Sequence, residues 1–268
     1  MERWLRFRGA NNTRDLGRLP ADGGKVVAAG RLYRSGELSK MSKAAYRALK
    51  EKYHVKQIVD LRTAEEIYAC PLPSFCNIPY LYIPILKQAM RGITRDGEPM
   101  RKKMNAILAA GMSEAEFMRL CYMEMVSSPD AQQGYRRLFD ALLVNEDDAT
   151  LFYCSAGRDR TGIAALLILS ALGVPEDATL DDYMLTPTSI RRKCCGVRLL
   201  KALHLMSKAE ADFASAFMLP SIDRMNGALD WIKGNYGSVE VYLRDAIGLT
   251  PDDLTRLKEL YLNYGKDE

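Results

Sequence analysis

The sequence is poor in histidine, because the chain of 268 residues contains only His54 and His204. Its six cysteines include no Cys-x2-Cys pair. A zinc cluster needs several such ligands, and a Ser-His-Asp hydrolase needs a histidine base, so neither type of site has its parts. His54 is expected to be an ordinary surface residue. We therefore expect a protein that works without a metal ion or another cofactor.

Long apolar runs and a strong excess of one charge are also missing. The longest apolar run covers residues 163–169, too short to span a bilayer, and the N-terminal Met1-Glu2-Arg3-Trp4 leads into no apolar signal segment. The 38 basic and 34 acidic side chains leave a net charge of +4, too small to suggest nucleic-acid binding. Irregularly spaced cysteines favour free thiols in a reducing compartment. We expect a soluble protein without stable membrane insertion, either cytoplasmic or exported without a classical signal peptide.

Apolar residues are spread over the whole length without repeats or low-complexity tracts, which favours a single domain over residues 1–268. Strand-like segments alternate with helical ones along much of the chain. The strand candidates are residues 25–27 leading to 32–33, then 57–61, 81–83 and 150–153. This alternation predicts an α/β fold with a central, largely parallel sheet flanked by helices.

Several helix ends are marked by their own residues. Ser113 with Glu116, and Thr250 with Pro251, are typical of helix starts. Gly173 predicts the end of the helix that follows Thr161, and Gly248 the end of one that begins near Ser238.

Residues 150–162 read Thr-Leu-Phe-Tyr-Cys-Ser-Ala-Gly-Arg-Asp-Arg-Thr-Gly, a short apolar strand followed by a tight polar loop and a long apolar helix. The first turn of a helix has unpaired N–H groups and a partial positive charge, so a dianionic phosphate fits there. Gly157 lets the backbone come close without a Cβ. Helix N-termini and nearby cations activate cysteines, which makes Cys154 a candidate nucleophile. Arg160 can grip two phosphate oxygens with its planar guanidinium.

The Cys-x5-Arg spacing of residues 154–160 is a weak signal by itself, and its context decides the interpretation. A strand precedes it, a glycine lies within it, and Thr161-Gly162 and a helix follow. The competing phosphate motif fails, because Ile163 and Ala164 stand where a Walker A loop requires Lys and Ser or Thr.

With these residues the sequence resembles the protein-tyrosine-phosphatase superfamily, in particular a bacterial branch that is similar to the secreted mycobacterial and listerial tyrosine and lipid phosphatases. The loop of that branch reads His-Cys-x-x-Gly-Lys-Asp-Arg-Thr-Gly. Further matching segments cover nearly the whole chain, namely residues 12–17, 31–36, 58–62 and 237–243. The resemblance implies a central sheet flanked by helices, with a helical lid insertion between about residues 188 and 226.

Two positions depart from the pattern of the branch. Tyr153 stands where the branch has His, a residue that helps to arrange the loop, so we expect the activation of Cys154 to be weaker or differently organised. Arg158 replaces Lys, which keeps the positive charge and changes its geometry. The resemblance also places Arg34 and Arg62 near the loop, where structural ion pairs are the expected role.

The resemblance assigns the acid and base work to Asp159, and the alternative is a salt-bridged carboxylate that shapes the loop. Asp60, which follows residues 57–59 at the end of a strand, is the second candidate for the acid or an orienter of Arg160, and the alternative is a cap of the strand end. Thr161 is a candidate donor to the Cys154 sulfur, and the alternative is a plain role at the start of the helix. The other residues expected to bind the phosphate are Ser155, Ala156, Gly157 and Arg158.

The function expected from the sequence is hydrolysis of phosphotyrosine or related phosphate monoesters through a cysteinyl-phosphate intermediate. The expected partner is a phosphorylated protein or a phosphoinositide. Two alternatives stay open. A phosphoinositide phosphatase is suggested by the extra cation Arg158 and by the basic segment 87–103, which is expected to form a loop or flap. A catalytically weakened phosphate-binding regulatory module is suggested by Tyr153.

Overall fold

The computed structural model describes residues 3–87, 100–185, 207 and 218–264. Its strands are β1 (Arg14–Asp15), β2 (Pro20–Ala21), β3 (Lys25–Val27), β4 (Leu32–Ser35), β5 (Val55–Asp60), β6 (Tyr80–Tyr82), β7 (Ala149–Tyr153) and β8 (Leu262–Tyr264). Its helices are α1 (Lys43–Glu51), α2 (Ala64–Ala69), α3 (Met100–Ala109), α4 (Glu114–Ser127), α5 (Pro129–Leu143), α6 (Asp159–Ala171), α7 (Glu176–Met184), α8 (Ile222–Tyr236), α9 (Val239–Asp245) and α10 (Pro251–Tyr261).

Five strands form the central sheet in the order β1-β4-β7-β5-β6, so β7 lies in the middle. Strand β7 pairs in parallel with β4 on one side and β5 on the other, and β5 pairs in parallel with β6. Only the short β1 runs antiparallel within this sheet. The predicted α/β fold with a largely parallel sheet is confirmed. Because parallel strands end at the same edge, the residues that follow β4, β5 and β7 meet there.

The predicted strand at residues 25–27 lies outside this sheet. It forms β3, the middle strand of a separate antiparallel sheet in the order β2-β3-β8. Strand β8 belongs to the end of the described chain, so this small sheet joins the N-terminal region to the region that follows α10.

The side chains of β7 alternate between two apolar cores, as expected for a strand with both faces covered. Leu151 and Tyr153 pack on the side of α1, with Tyr46 and Leu49. Phe152 belongs to the larger core on the other side, which is built from α4, α5, α6, α8, α9 and α10, and Cys154 follows it there. Every residue of β7 is buried.

The predicted helix starts are confirmed. Ser113 and Glu116 form a capping box at α4, and Thr250 forms one with Asp253 before Pro251 at α10. Gly173 has a φ of +76° just beyond the end of α6. The helix that begins after Ser238 ends at Asp245, earlier than predicted, and Gly248 lies in the turn that follows.

Most of the predicted lid, residues 188–226, lies outside the described residues. The final part of that range belongs to the body of the protein, because residues 222–226 begin α8, which packs along α4. Met225 is fully buried in the larger core. Within the described ranges, no helix has both the length and the apolar character that crossing a membrane requires.

Candidate active site

The candidate site lies where the central strand β7 ends. Residues 154–158 connect β7 to α6, and eight predicted site residues, 154–161, lie in this loop and the first turn of α6. Asp60, the ninth, ends the neighbouring β5. Cys154 is 1% exposed, whereas Ala156 is half-buried. The N-cap residue of α6, Arg158, makes no capping hydrogen bond through its side chain, which leaves backbone N–H groups of the first turn for an anion.

The loop is packed backbone to backbone against the turn that follows β4. Gly157 has a φ of +63°, and a Cβ there would lie 2.4 Å from the backbone nitrogen of Gly36. Two side chains hold its carbonyl oxygen: Asn12 Nδ2 donates at 2.6 Å and an Arg34 terminal nitrogen at 3.1 Å. The carbonyl of Ser155 accepts from the N–H of Glu37 at 3.3 Å. These bonds fix the path of the loop.

Asp182 of α7 anchors the side chains that hold Gly157. Arg34 donates to its carboxylate at 2.7 Å, Arg14 donates at 3.0 Å, and Arg3 forms a third ion pair. Arg14 also donates to the side-chain oxygen of Asn12, which links it to the loop. Burial by itself raises the pKa of Asp182, but Arg14 and Arg34 outweigh it and hold that pKa well below its usual range. Burial and the neighbouring Arg34 lower the pKa of Arg14 to about 10, which reflects the crowding of positive charge.

Arg160 is oriented by Glu66 of α2. Its two terminal nitrogens donate to the two Glu66 oxygens at 2.6 and 2.9 Å, and both side chains are buried. Glu66 also accepts from Ser155 Oγ at 2.5 Å and from the N–H of Thr63 at 3.0 Å. The carboxylate therefore holds the arginine, the loop and the start of α2 together.

Glu66 is the main residue that the sequence analysis missed. The expectation that Asp60 orients Arg160 is wrong, because Asp60 pairs with Arg62 instead. A signal was present, since Thr63 and Glu66 have the spacing of a capping box directly after the strand of Asp60. That spacing places a carboxylate at the edge of the sheet where β7 also ends.

Asp60 is the centre of a second buried cluster, on the α1 side of the sheet. Arg62 donates to both of its oxygens, at 3.0 and 2.8 Å, and Tyr80 donates at 2.9 Å. Tyr153 donates to Asp60 and accepts from Arg62 at 3.0 Å. Burial and then Asp60 raise the pKa of Tyr153 far above its usual value, so its hydroxyl remains a donor. Tyr153 thus stabilises Asp60 on the face opposite to Cys154.

Asp159 is held as a salt-bridged carboxylate, the alternative considered for it from the sequence. Arg158 donates through Nε to Oδ1 at 2.9 Å and through a terminal nitrogen to Oδ2 at 3.0 Å. Tyr122 of α4 donates to Oδ1 at 2.5 Å. Burial by itself raises the pKa of Asp159, but Arg158, helped by Tyr122, outweighs it and lowers that pKa. This arrangement favours the ionised form of Asp159, the form in which it can act as a base.

The remaining expectations have mixed outcomes. Arg34 and Arg62 form the structural ion pairs expected of them. His54 is exposed, as predicted. Within the described residues the buried hydroxyl of Thr161 has no hydrogen-bond partner, so the bond predicted from Thr161 to the Cys154 sulfur is not formed in this structure.

The role of Asp182 predicts a large effect on stability. Asp182→Asn leaves Arg14 and Arg34 buried without their counter-charge and is expected to lower the free energy of unfolding by about 3 kcal/mol at pH 7. Because the folded pKa is depressed, the ion pairs contribute fully above the unfolded value of about 4 and are lost as pH falls toward the folded value. The difference in the free energy of unfolding between wild type and Asp182→Asn should therefore become smaller below about pH 4.

Guanidinium denaturation at several pH values measures this difference. The neighbouring Asp181 is exposed, so Asp181→Asn is the matched control and should stay close to wild type. Equal destabilisation by the two substitutions would contradict the anchoring role of Asp182.

Comparison with known proteins places this arrangement in a family. A model described as a tyrosine phosphatase family matches residues 5–263. A protein of Cupriavidus necator that bears the name tyrosine-protein phosphatase is 31% identical over 263 residues, which cover 96% of this chain and 88% of that protein.

Two further relatives are more distant. The triple specificity protein phosphatase PtpB of Mycobacterium tuberculosis is 24% identical over 279 residues, covering 95% of this chain and 97% of that protein. A tyrosine-protein phosphatase of Nostoc commune is 25% identical over 255 residues, which cover 90% of this chain and 77% of that protein. Since the family model spans nearly the whole chain, the protein belongs to the tyrosine phosphatase family of phosphoric monoester hydrolases.

Proposed function

We propose that the protein hydrolyses phosphotyrosine or related phosphate monoesters through a cysteinyl-phosphate intermediate at Cys154. The observation that carries the proposal is the position of Cys154, the first residue of the loop that connects β7 to the N-terminus of α6, where Arg160 lies in the first turn. Backbone N–H groups and the guanidinium of Arg160 are the donors that a phosphate with developing charge needs.

The reaction proceeds in two displacements. The Cys154 thiolate attacks phosphorus, the S–P bond forms, and the bond from phosphorus to the ester oxygen breaks as that oxygen takes a proton. Water then attacks the phosphocysteine, the S–P bond breaks, and inorganic phosphate leaves. Asp159, beside the loop, is the proposed donor of the first proton and acceptor of the second. Arg160 stabilises the charge on the phosphate oxygens in both steps.

The depth of the site favours an aryl phosphate on a protein. Cys154 and Arg160 are 1% and 0% exposed, so the phosphate must reach into a recess. A phosphotyrosine side chain holds its phosphate farther from the main chain than phosphoserine or phosphothreonine does.

The alternative of a catalytically weakened binding module rested on Tyr153, whose hydroxyl lies with Asp60 and Arg62 on the other face of the sheet. Cys154 belongs to the core on the opposite face, so the exchange of His for Tyr acts on the Asp60 cluster and not directly on the sulfur, which supports a catalyst. The phosphoinositide alternative rested on Arg158 as an extra cation and on the basic segment 87–103, of which residues 88–99 lie outside the described residues. Arg158 is bidentate to Asp159, so a phosphoprotein is favoured over a lipid headgroup.

The role of Cys154 predicts that Cys154→Ser abolishes turnover of a chromogenic aryl phosphate and retains binding of vanadate, a phosphate analogue. The reason is that the hydroxyl of serine is a far weaker nucleophile than a thiolate at neutral pH, while the backbone donors stay in place. Cys76→Ser is the control, because that partly buried thiol lies outside the loop. Full turnover by Cys154→Ser would exclude the proposed intermediate.

The contacts of Glu66 predict a loss of kcat/KM in Glu66→Gln of about 10- to 100-fold, because the buried Arg160 loses its charged bidentate partner. Glu65→Gln changes the neighbouring carboxylate, which is exposed, and should leave kcat/KM unchanged. Denaturation curves of both variants show whether the loss exceeds what partial unfolding explains. Wild-type kcat/KM in a folded Glu66→Gln variant would rule out orientation of Arg160 by Glu66.

The pairing of Arg158 with Asp159 predicts the preferred substrate class. A phosphotyrosine peptide should be turned over with a higher kcat/KM than a phosphoinositide presented in mixed micelles at equal phosphate concentration. Vanadate should inhibit both reactions if they share one site. A higher kcat/KM on the lipid would replace the phosphoprotein proposal by the lipid alternative.

A further inference from the structure

Two buried tyrosines outside the loop approach the Asp159 carboxylate. Tyr122 Oη lies 2.5 Å from Asp159 Oδ1, and Tyr183 Oη lies 2.8 Å from Tyr122 Oη. Both rings are almost completely buried, at 0% and 2% exposed, and they meet edge to face with centroids 6.3 Å apart. Helix α4 therefore supplies a hydroxyl group to the proposed acid, and α7 supplies a second hydroxyl group to the first.

The direction of the hydrogen bonds follows from the chemistry of the groups. An ionised carboxylate can only accept hydrogen bonds, so Tyr122 donates its single hydroxyl hydrogen to Asp159. The hydrogen between the two tyrosines must then come from Tyr183. The result is a chain in which Tyr183 donates to Tyr122 and Tyr122 donates to Asp159, and each donation strengthens the next.

Both hydroxyl groups keep their protons at any ordinary pH. Burial and then Asp159 raise the pKa of Tyr122 well above its usual value, and the same two causes raise the pKa of Tyr183. The chain is also held rigidly, because the ring of Tyr183 lies against the first turn of α6. A Cβ at Gly162 would lie 3.0 Å from Tyr183 Cδ2.

Other groups also act on Asp159, from the loop and from helices packed around it. The titratable and charged groups that face it are Arg158 of the loop, Arg160 of α6, Cys121 and Tyr122 of α4, Tyr183 of α7 and Arg224 of α8. Among these groups, the two tyrosines form the hydrogen-bond chain, and their hydroxyl groups carry no charge. Their hydroxyl groups can be removed without changing the net charge around the site.

We infer that Tyr122, backed by Tyr183, is a positioning residue of the reaction: it fixes the orientation of Asp159, stabilises its charged form and so sets the pH above which proton donation to the leaving group fails. The inference rests on the proposed function, in which Asp159 is the acid. The hydrogen-bond chain stabilises the ionised form of Asp159, which is the base needed in the second step. It disfavours the protonated form, which is the acid needed in the first step.

The test is the pH dependence of kcat/KM on an aryl phosphate. Activity falls on the alkaline side as the acid loses its proton, and loss of a donor to the carboxylate raises the pH of that fall. Tyr122→Phe should move the alkaline limb upward by about one pH unit. Tyr183→Phe should move it in the same direction by less. The control is Tyr261→Phe, which removes a buried hydroxyl that donates to the carbonyl of Leu142, and it should not move the limb.

A second measurement reads the carboxylate without catalysis. Titration of ¹³C-labelled aspartate in Cys154→Ser, with Asp159→Asn to assign the signal, follows Asp159 with and without Tyr122→Phe. An upward shift of its midpoint in the Tyr122→Phe protein supports the inference. An unchanged midpoint and an unchanged alkaline limb in a folded Tyr122→Phe protein overturn it. Failure of the proposed function gives a different result, namely full turnover by Cys154→Ser, and the titration still decides the role of Tyr122.

Discussion

The constraint on which the candidate site depends is the burial of guanidinium groups. The arginines concerned are almost completely buried: Arg14, Arg34, Arg62, Arg158 and Arg160. Removing a cation from water costs several kcal/mol unless a carboxylate and further hydrogen bonds replace the solvent. Each of these side chains therefore requires a counter-charge, and the structure supplies one from α2, α6, α7 or the end of β5. A shift of the loop would separate one of these pairs, so the charges that we propose for phosphate binding also fix the geometry of the loop.

This arrangement couples distant elements to a short loop. The carboxylate of Asp182 reaches the Gly157 carbonyl through Arg34, and Glu66 reaches Ser155 and Arg160 directly. Donors that are already oriented need no reorganisation as charge moves onto the phosphate oxygens. The orientation of these donors is thus set when the protein folds and α2 and α7 pack against the edge of the sheet.

The loop and its flanking elements were predictable, because strand, glycine and helix start are encoded in adjacent residues. The partners of the charges were not. Glu66 is 94 positions from Arg160, and Asp182 is 148 positions from Arg34, and no local pattern connects such pairs. Tyr153 illustrates a second limit: its place beside Cys154 in the sequence suggested an effect on the sulfur, whereas strand alternation turns its side chain to the opposite face.

In the proposed mechanism, the exchange of Lys for Arg158 affects Asp159, the proposed acid, more than the substrate. A lysine ammonium is a point charge that need not engage both oxygens of a carboxylate, whereas the fork of Arg158 occupies Oδ1 and Oδ2 of Asp159 together. Tyr122 completes the set of donors on the same group. The loop thereby neutralises part of its own positive charge, and the identity of residue 158 governs how firmly the neighbouring carboxylate is held. In the proposed mechanism, proton donation by Asp159 therefore depends on its contact with the adjacent Arg158.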